Sequence, residues 1–213
     1  MLVERVSMKA EKRILSIYCK YIKRFLDMFF SVILILLLLP LMLFIGVAIK
    51  IDSKGSIIFK QKRMGRDGEV FTCYKFRTMM VDAPHSTPAK DFFDVEKYVT
   101  RVGAFLRRSS LDELPQLFNV FLGKMSLVGP RPLICEEYDV HKMRNEAGIY
   151  ALRPGLTGLA QVRGRNLLCD SEKIENDMIY LDNVRITLDV KILLMTFGCV
   201  ISGIGVVGEN KKK

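Results

Sequence analysis

Between Asp27 and Lys50 the chain runs for 22 residues without a charge, MFFSVILILLLLPLMLFIGVAI from Met28 to Ile49. As a helix this segment is about 33 Å long, roughly the thickness of a bilayer's hydrocarbon core. A helix buried in a soluble core is the alternative, and a run this long and this apolar fits it poorly. Its length, its late start and the lack of a small-residue cleavage site distinguish it from a cleaved signal peptide. The flanks constrain it further. Residues 1–27 carry seven Lys/Arg against three acids, and residues 50–77 carry eight against three. The positive-inside rule keeps both flanks in the cytoplasm. A straight span cannot satisfy that, whereas a segment entering and leaving by one face can. Pro40, near the middle, removes a backbone hydrogen bond and crowds the preceding turn, which predicts a kink. Two arrangements stay open on these residues: a broken, re-entrant helix, and an ordinary single span with a tolerated proline.

The whole chain has 213 residues, enough for one domain with an appendage. We divide it into residues 1–50, an amphipathic lead-in and membrane helix, and residues 51–213, a cytosolic domain. Half the residues are hydrophobic and 26% are charged, which excludes a disordered chain. The net charge of +10 calls for an anionic partner: nucleic acid, anionic lipid or a phosphorylated substrate. Five cysteines are scattered without a CxxC or metal-knuckle spacing, which suits a reducing cytosol.

The fold class read from the pattern is α/β, mostly α. Ile57–Gln61 and Val70–Tyr74 flank Gly65-Arg66-Asp67-Gly68 and predict a β-hairpin. Residues 82–100, with Pro84 and Pro88, read as a loop. Apolar residues at 111, 114, 117, 118, 121 and 122 predict a helix over 111–122. Further helices are expected at 135–147 and 171–182. The apolar stretch 192–207 is short for a span and reads as a core or interfacial helix. His85 and His141 lie far apart and read as surface residues.

The chemistry concentrates in Arg107-Arg108-Ser109-Ser110-Leu111-Asp112-Glu113-Leu114-Pro115-Gln116. Ser110 and Glu113 have capping-box spacing; alternatively Asp112 is the N-cap. Either choice puts two adjacent carboxylates at a helix start, where the dipole favours their ionised forms. Such a pair offers hard oxygens to Mg²⁺, or a nucleophile; the plainer reading is simple capping. Arginines set among glycines and prolines add to it: Arg131 between two prolines, Arg153 before Pro154-Gly155, and Arg163 and Arg165 around Gly164. Lys75 and Arg77 follow the second predicted strand. Guanidinium forks on a fixed backbone suit phosphate oxygens. Together these residues point to a polyphosphate substrate with a metal.

Three blocks then carry a family resemblance: YKFRTM (74–79), RSSLDELPQLFNVFLGKMSLVGPRP (108–132) and RPGLTGLAQVRGRN (153–166). They resemble the signature blocks of the bacterial sugar transferases, the small monotopic phosphoglycosyl transferases, and the likeness runs from about Tyr21 to Val207. The resemblance implies a re-entrant helix kinked at a proline, interfacial amphipathic helices and a small α/β catalytic domain on the cytoplasmic face of the bacterial inner membrane. It implies transfer of a phosphosugar from a UDP-sugar to a polyprenol (undecaprenyl) phosphate, with UMP released. It places the family's Asp-Glu dyad on Asp112 and Glu113, with Asp112 as nucleophile and Mg²⁺ as cofactor. Phosphate-binding arginines fall on Arg107 and Arg131. Lys75, Arg77, Arg153, Gln161, Arg163, Arg165 and Asp177 complete the expected binding set. Anionic lipid and downstream glycosyltransferases are the further partners implied, and nucleic acid is not. Leu39 stands where the family often has Ser, Leu159 where Trp is common, Arg163 where Asn is common, and Tyr150 where His is frequent. A membrane-anchored nucleic-acid-binding protein and an inactive scaffold in a glycan assembly complex are the competing classes; the intact dyad argues against the second.

Overall fold

A computed structural model describes residues 17–83, 95–164 and 167–202. A π-helical turn (Tyr18–Ile22) leads into α1 (Lys23–Asp52), thirty residues that continue through Pro40 as one helix. The proline does not divide it into two helices. Proline withdraws a single N–H, and the turns on either side keep theirs. Among the described residues α1 is the one helix long and apolar enough to cross a membrane.

The buried residues of α1 are Asp27, Ser31, Met42, Ile45, Gly46 and Ile49, with Leu34, Ile35 and Leu38 packed between them. Steps of three and four place these on one face, and that face lies against the rest of the chain. The opposite face leaves Phe29, Ile33, Leu36, Leu37, Phe44, Val47 and Ile51 exposed. Polar contacts tie down both ends. At the start, Lys23 Nζ donates to Asp189 at 2.6 Å. Arg24 donates to the carbonyls of Val120 and Phe121, each at 2.7 Å. Asp27 accepts from the Leu127 N–H at 2.9 Å. At the far end, Asp52 accepts from the Val102 N–H at 3.0 Å. Arg77 donates to the carbonyls of Ser53 and Lys54.

The hairpin extends beyond its predicted limits. Strands β1 (Ile58–Met64) and β2 (Val70–Phe76) pair antiparallel from Ile58↔Phe76 to Met64↔Val70. Asp67 turns the chain in the left-handed region at φ 56°, which Asp tolerates better than most side chains. Within the segment read as a loop, residues 84–94 lie outside the described residues, and α2 (Val95–Tyr98) forms one helical turn. Thr100 Oγ1 then caps α3 (Arg101–Ser109) by accepting from the Gly103 N–H at 3.0 Å. Gly103 has no side chain to spare: a Cβ there would fall 2.1 Å from the Thr78 carbonyl oxygen. Helix and strand end therefore touch backbone to backbone.

The helix expected over 111–122 divides into a 3₁₀ turn (Leu111–Glu113) and α4 (Gln116–Phe121), separated at Pro115. Beyond lie β3 (Ser126–Val128), α5 (Tyr138–Glu146), β4 (Gly155–Thr157), α6 (Leu159–Arg163), α7 (Asp170–Asp182) and α8 (Ile186–Ser202). β3 and β4 pair in parallel, Ser126↔Gly155 and Val128↔Thr157. The last helix begins six residues before the apolar stretch that suggested it. Its Asp189 anchors it by accepting from Lys23, from the Tyr18 hydroxyl and from the Tyr180 hydroxyl, each at 2.6 Å. One core cluster joins β2, α4, β3, α7 and α8 around Leu117, Val120, Met125 and Tyr180. A second consists of Met42, Ile45 and Ile49 from α1 with Phe76 and Leu106.

Candidate active site

Neither predicted cap forms at the Asp112-Glu113 turn. Ser110 adopts the left-handed conformation, φ 56° and ψ 15°, and no side chain caps the 3₁₀ turn or α4. A serine held there costs about 1 kcal/mol or more, and such strain collects at functional sites. The bend ends α3 and releases both carboxylates from capping.

The two acids then meet different surroundings. Glu113 Oε1 lies 2.6 Å from Lys75 Nζ and 3.6 Å from Arg131 Nη1. Burial alone would raise its carboxyl, but these charges and the Lys75 hydrogen bond outweigh it and bring it to about 2. No hydrogen bond or ion pair holds the Asp112 carboxylate among the described residues. Burial pushes its carboxyl up, Lys75 opposes the rise, and the charge of Glu113 adds to it. One carboxylate is therefore a fixed anion, and the other is desolvated and uncommitted.

Arg131 is presented by a backbone in which four successive carbonyls are occupied. Pro130 O accepts from the Gly155 N–H at 2.8 Å. Arg131 O accepts from Arg144 at 2.7 Å and Pro132 O from Arg63 at 2.7 Å. Leu133 O accepts from the Met64 N–H at 3.0 Å. Two prolines fix φ in this segment and the donors fix the rest, while the Arg131 side chain stays half-exposed toward Glu113. Gly155 makes the approach possible, because a Cβ there would fall 2.1 Å from the Gly129 nitrogen. Arg107 lies close enough to Asp112 for their charges to interact. Its Nε donates to Thr78 Oγ1 at 2.9 Å, which leaves its terminal nitrogens unengaged among the described residues.

The cleft beside the dyad is lined by Arg63, Cys73, Lys75, Glu113, Gln116, Arg131, Pro132, Gly155 and Leu156. Of the residues expected to bind substrate, Lys75 and Arg131 line it. Arg107 lies outside the lining, and Arg77, Arg153, Gln161, Arg163 and Asp177 are engaged elsewhere by the protein itself. Arg77 holds the end of α1, for the reason given by its two carbonyl partners. Arg153 Nε donates to the Gly123 carbonyl at 3.0 Å. Gln161 donates to Leu156 O at 3.2 Å, and Arg163 to Asn176 at 2.8 Å. Asp177 sits in the interior, paired with Arg144 at 2.7 Å, instead of facing the cleft. Arg165 lies outside the described residues. His141 is not a bare surface residue: it bonds to Ile134 O and to the Tyr150 hydroxyl.

Arg63, Thr78, Gln116 and Arg144 were not singled out by the sequence. The Pro-Arg-Pro motif held one usable signal. Prolines contribute no N–H, so their loop must find donors for its carbonyls elsewhere, and buried arginines supply them.

The donor set also tests a metal. Among the described residues no group of three or more His, Cys, Asp or Glu could cage an ion. Two carboxylates with hard oxygens match the way Mg²⁺ binds beside phosphates, through one or two acids with substrate oxygens and water completing the shell. Asp112 and Glu113 fit that role.

Comparison with known proteins agrees with the geometry. The bacterial sugar transferase profile matches residues 18–203. An exopolysaccharide production protein, PSS, of Rhizobium leguminosarum bv. phaseoli is 38% identical over 197 residues, covering 85% of this chain and 94% of that protein. A UDP-glucose:undecaprenyl-phosphate glucose-1-phosphate transferase of Xanthomonas campestris pv. campestris is 40% identical over 178 residues, 80% of this chain and 37% of that protein. An undecaprenyl-phosphate galactose phosphotransferase of Salmonella typhimurium is 36% identical over 192 residues, 83% of this chain and 40% of that protein. The chain thus spans nearly all of the first relative and about two fifths of the other two. It is a phosphoglycosyl transferase by class. It belongs to the bacterial sugar transferase family.

Proposed function

We propose that the chain transfers a sugar 1-phosphate from a UDP-sugar to undecaprenyl phosphate, the first membrane step of a polysaccharide assembly. The relatives named for this transfer support the substrates. The observation that carries the chemistry is the uncommitted, desolvated Asp112 next to a Glu113 fixed by Lys75 and Arg131. An Asp112 oxygen attacks the sugar-bearing phosphorus. The bond from that phosphorus to the bridging oxygen breaks, and UMP leaves with the electron pair. The resulting acyl phosphate is then attacked by a phosphate oxygen of the polyprenol, which restores the carboxylate and gives a polyprenyl diphosphosugar. Arg131, and Arg107 held by Thr78, neutralise the diphosphate oxygens. Mg²⁺, held by Asp112 and Glu113, supplies further charge neutralisation on those oxygens when bound. Membranes containing the protein, given undecaprenyl phosphate and a panel of UDP-sugars, should release UMP with at least one of them. Failure across the panel would remove this reading.

The same reading places α1 as a re-entrant helix with both ends on the cytoplasmic side. Its support is that each end of α1 is hydrogen-bonded to the same domain, through Lys23, Arg24 and Asp27 at one end and Asp52 at the other. A straight span would carry one of those ends to the far side, away from its partners. Single cysteines placed near residues 5 and 55 in a cysteine-free background should both resist an impermeant thiol reagent added to intact cells. Labelling at one site alone would establish a span.

A further inference from the structure

We propose that Gln116 is a substrate-binding residue, its carboxamide donating a hydrogen bond to a phosphoryl oxygen of the sugar-nucleotide diphosphate. The proposal rests on the transferase reading above and adds a contact to it. Gln116 opens α4 and is 3% exposed, yet its side chain lines the cleft with Arg63, Lys75, Glu113 and Arg131. Among the described residues its amide has no protein partner. Asn119, one turn further along the same helix, shows what a purely structural amide does here. It accepts from the Tyr74 N–H at 3.0 Å and donates to Thr72 O at 2.8 Å, joining α4 to β2 at both ends of its amide.

The side chain is almost wholly enclosed, its amide is not among the fully buried polar atoms left without a partner, and it therefore meets the outside through the cleft. Gln116 keeps its amide in a cleft where Lys75 and Arg131 sit beside Glu113, with Arg63 bonded behind them to Gln61 and Pro132. Each phosphoryl oxygen has more acceptor capacity than one cation uses, and a neutral donor adds a bond without more positive charge beside Arg63 and Arg131. The amide N–H is therefore matched to the diphosphate and left open to it.

The test compares Gln116→Met and Gln116→Glu with wild type for UMP release, alongside thermal denaturation. Methionine keeps the length and volume and removes the amide. It should lower kcat/KM by about ten- to a hundredfold, the range of a hydrogen bond to a charged group. Its melting temperature should be unchanged or raised, because no protein contact is lost. Glutamate, which cannot donate when ionised and adds a negative charge near Glu113, should be worse than methionine. Gln116→Met activity within twofold of wild type overturns the proposal. So does a melting temperature that falls together with activity, which marks a structural amide. An active Gln116→Glu would mean that the side chain accepts, from a sugar hydroxyl, instead of donating to phosphate. Wild type that releases no UMP defeats the transferase reading itself, whatever the variants do.

Discussion

Asp112→Asn should abolish sugar-phosphate transfer and leave the fold intact. Loss of a covalent nucleophile costs on the order of 10⁴- to 10⁶-fold in turnover. The substitution keeps shape and size, and it breaks no hydrogen bond, since none holds this carboxylate among the described residues. The electrostatics give the stability its sign. Burial raises the Asp112 carboxyl above its ordinary value. A group raised in the fold contributes stability at low pH and loses that contribution as pH rises through its folded value. Asparagine never ionises, so at neutral pH the variant should be as stable as wild type or slightly more so. Activity runs the other way. The attacking form is the carboxylate, so the wild-type rate should fall as pH drops, beginning above the usual carboxylate range. Incubation with radiolabelled UDP-sugar and no acceptor should trap label on wild type, released by a polyprenol phosphate chase, and none on the variant. Ternary-complex kinetics with no trapped label would reduce the dyad to a base or metal site.

Asp177→Ala should be among the most destabilising single changes outside the hydrophobic core. Asp177 and Arg144 are both almost completely buried, 2.7 Å apart. Removing one partner of such a pair leaves a buried, uncompensated charge, a loss of about 3–5 kcal/mol. Arg144 has no slack, because its Nε already lacks a partner and its Nη1 holds the Arg131 carbonyl. Asp177→Asn keeps an acceptor and should cost less. The pH signature is distinct. Burial lifts the Asp177 carboxyl to about 6 although Arg144 opposes the shift. Its contribution to stability therefore declines as pH rises from its ordinary value toward 6, a slope that Asp177→Asn should lack. Denaturant unfolding in detergent at several pH values measures both effects. Asp177→Leu with Arg144→Met should recover stability by replacing the pair with apolar contacts, yet transfer should stay impaired because Arg131 O has lost its donor. Full recovery of activity would show that this donor does not matter to Arg131.

The elements that local pattern governs were legible in the sequence: the apolar helix, the hairpin around residues 65–68, and α7. Those decided by distant partners were not. Ser110 carries no mark of its left-handed conformation, and the capping spacing around it pointed to a helix start that Pro115 delays. The dyad, Lys75 and Arg131 could be marked as candidates from residue type and setting. Their division of labour could not, because it depends on which carboxylate Lys75 reaches across from β2. Arginines in glycine- and proline-rich turns all look alike on paper. Only the fold distinguishes Arg131, which faces the cleft, from Arg77 and Arg153, which close carbonyls elsewhere.

The packing of Met42, Ile45 and Ile49 against Phe76 and Leu106 makes α1 half of a core and not merely a tether. Helix and domain form one cooperative unit in this region. A fragment beginning after α1 would leave Phe76 and Leu106 covered only by Ile57, Ile58, Val102, Leu111 and Leu114, and the Val102 N–H would lose Asp52. The placing of α1 and the folding of the domain are therefore coupled in this chain. The position of the dyad relative to α1 follows from that coupling: α3 starts at the end of α1 and finishes three residues before Asp112, about 13 Å of helix that works as a fixed strut. On the proposed transferase reading, with α1 in the membrane, a soluble donor and a lipid-anchored acceptor would meet at a level that this strut sets.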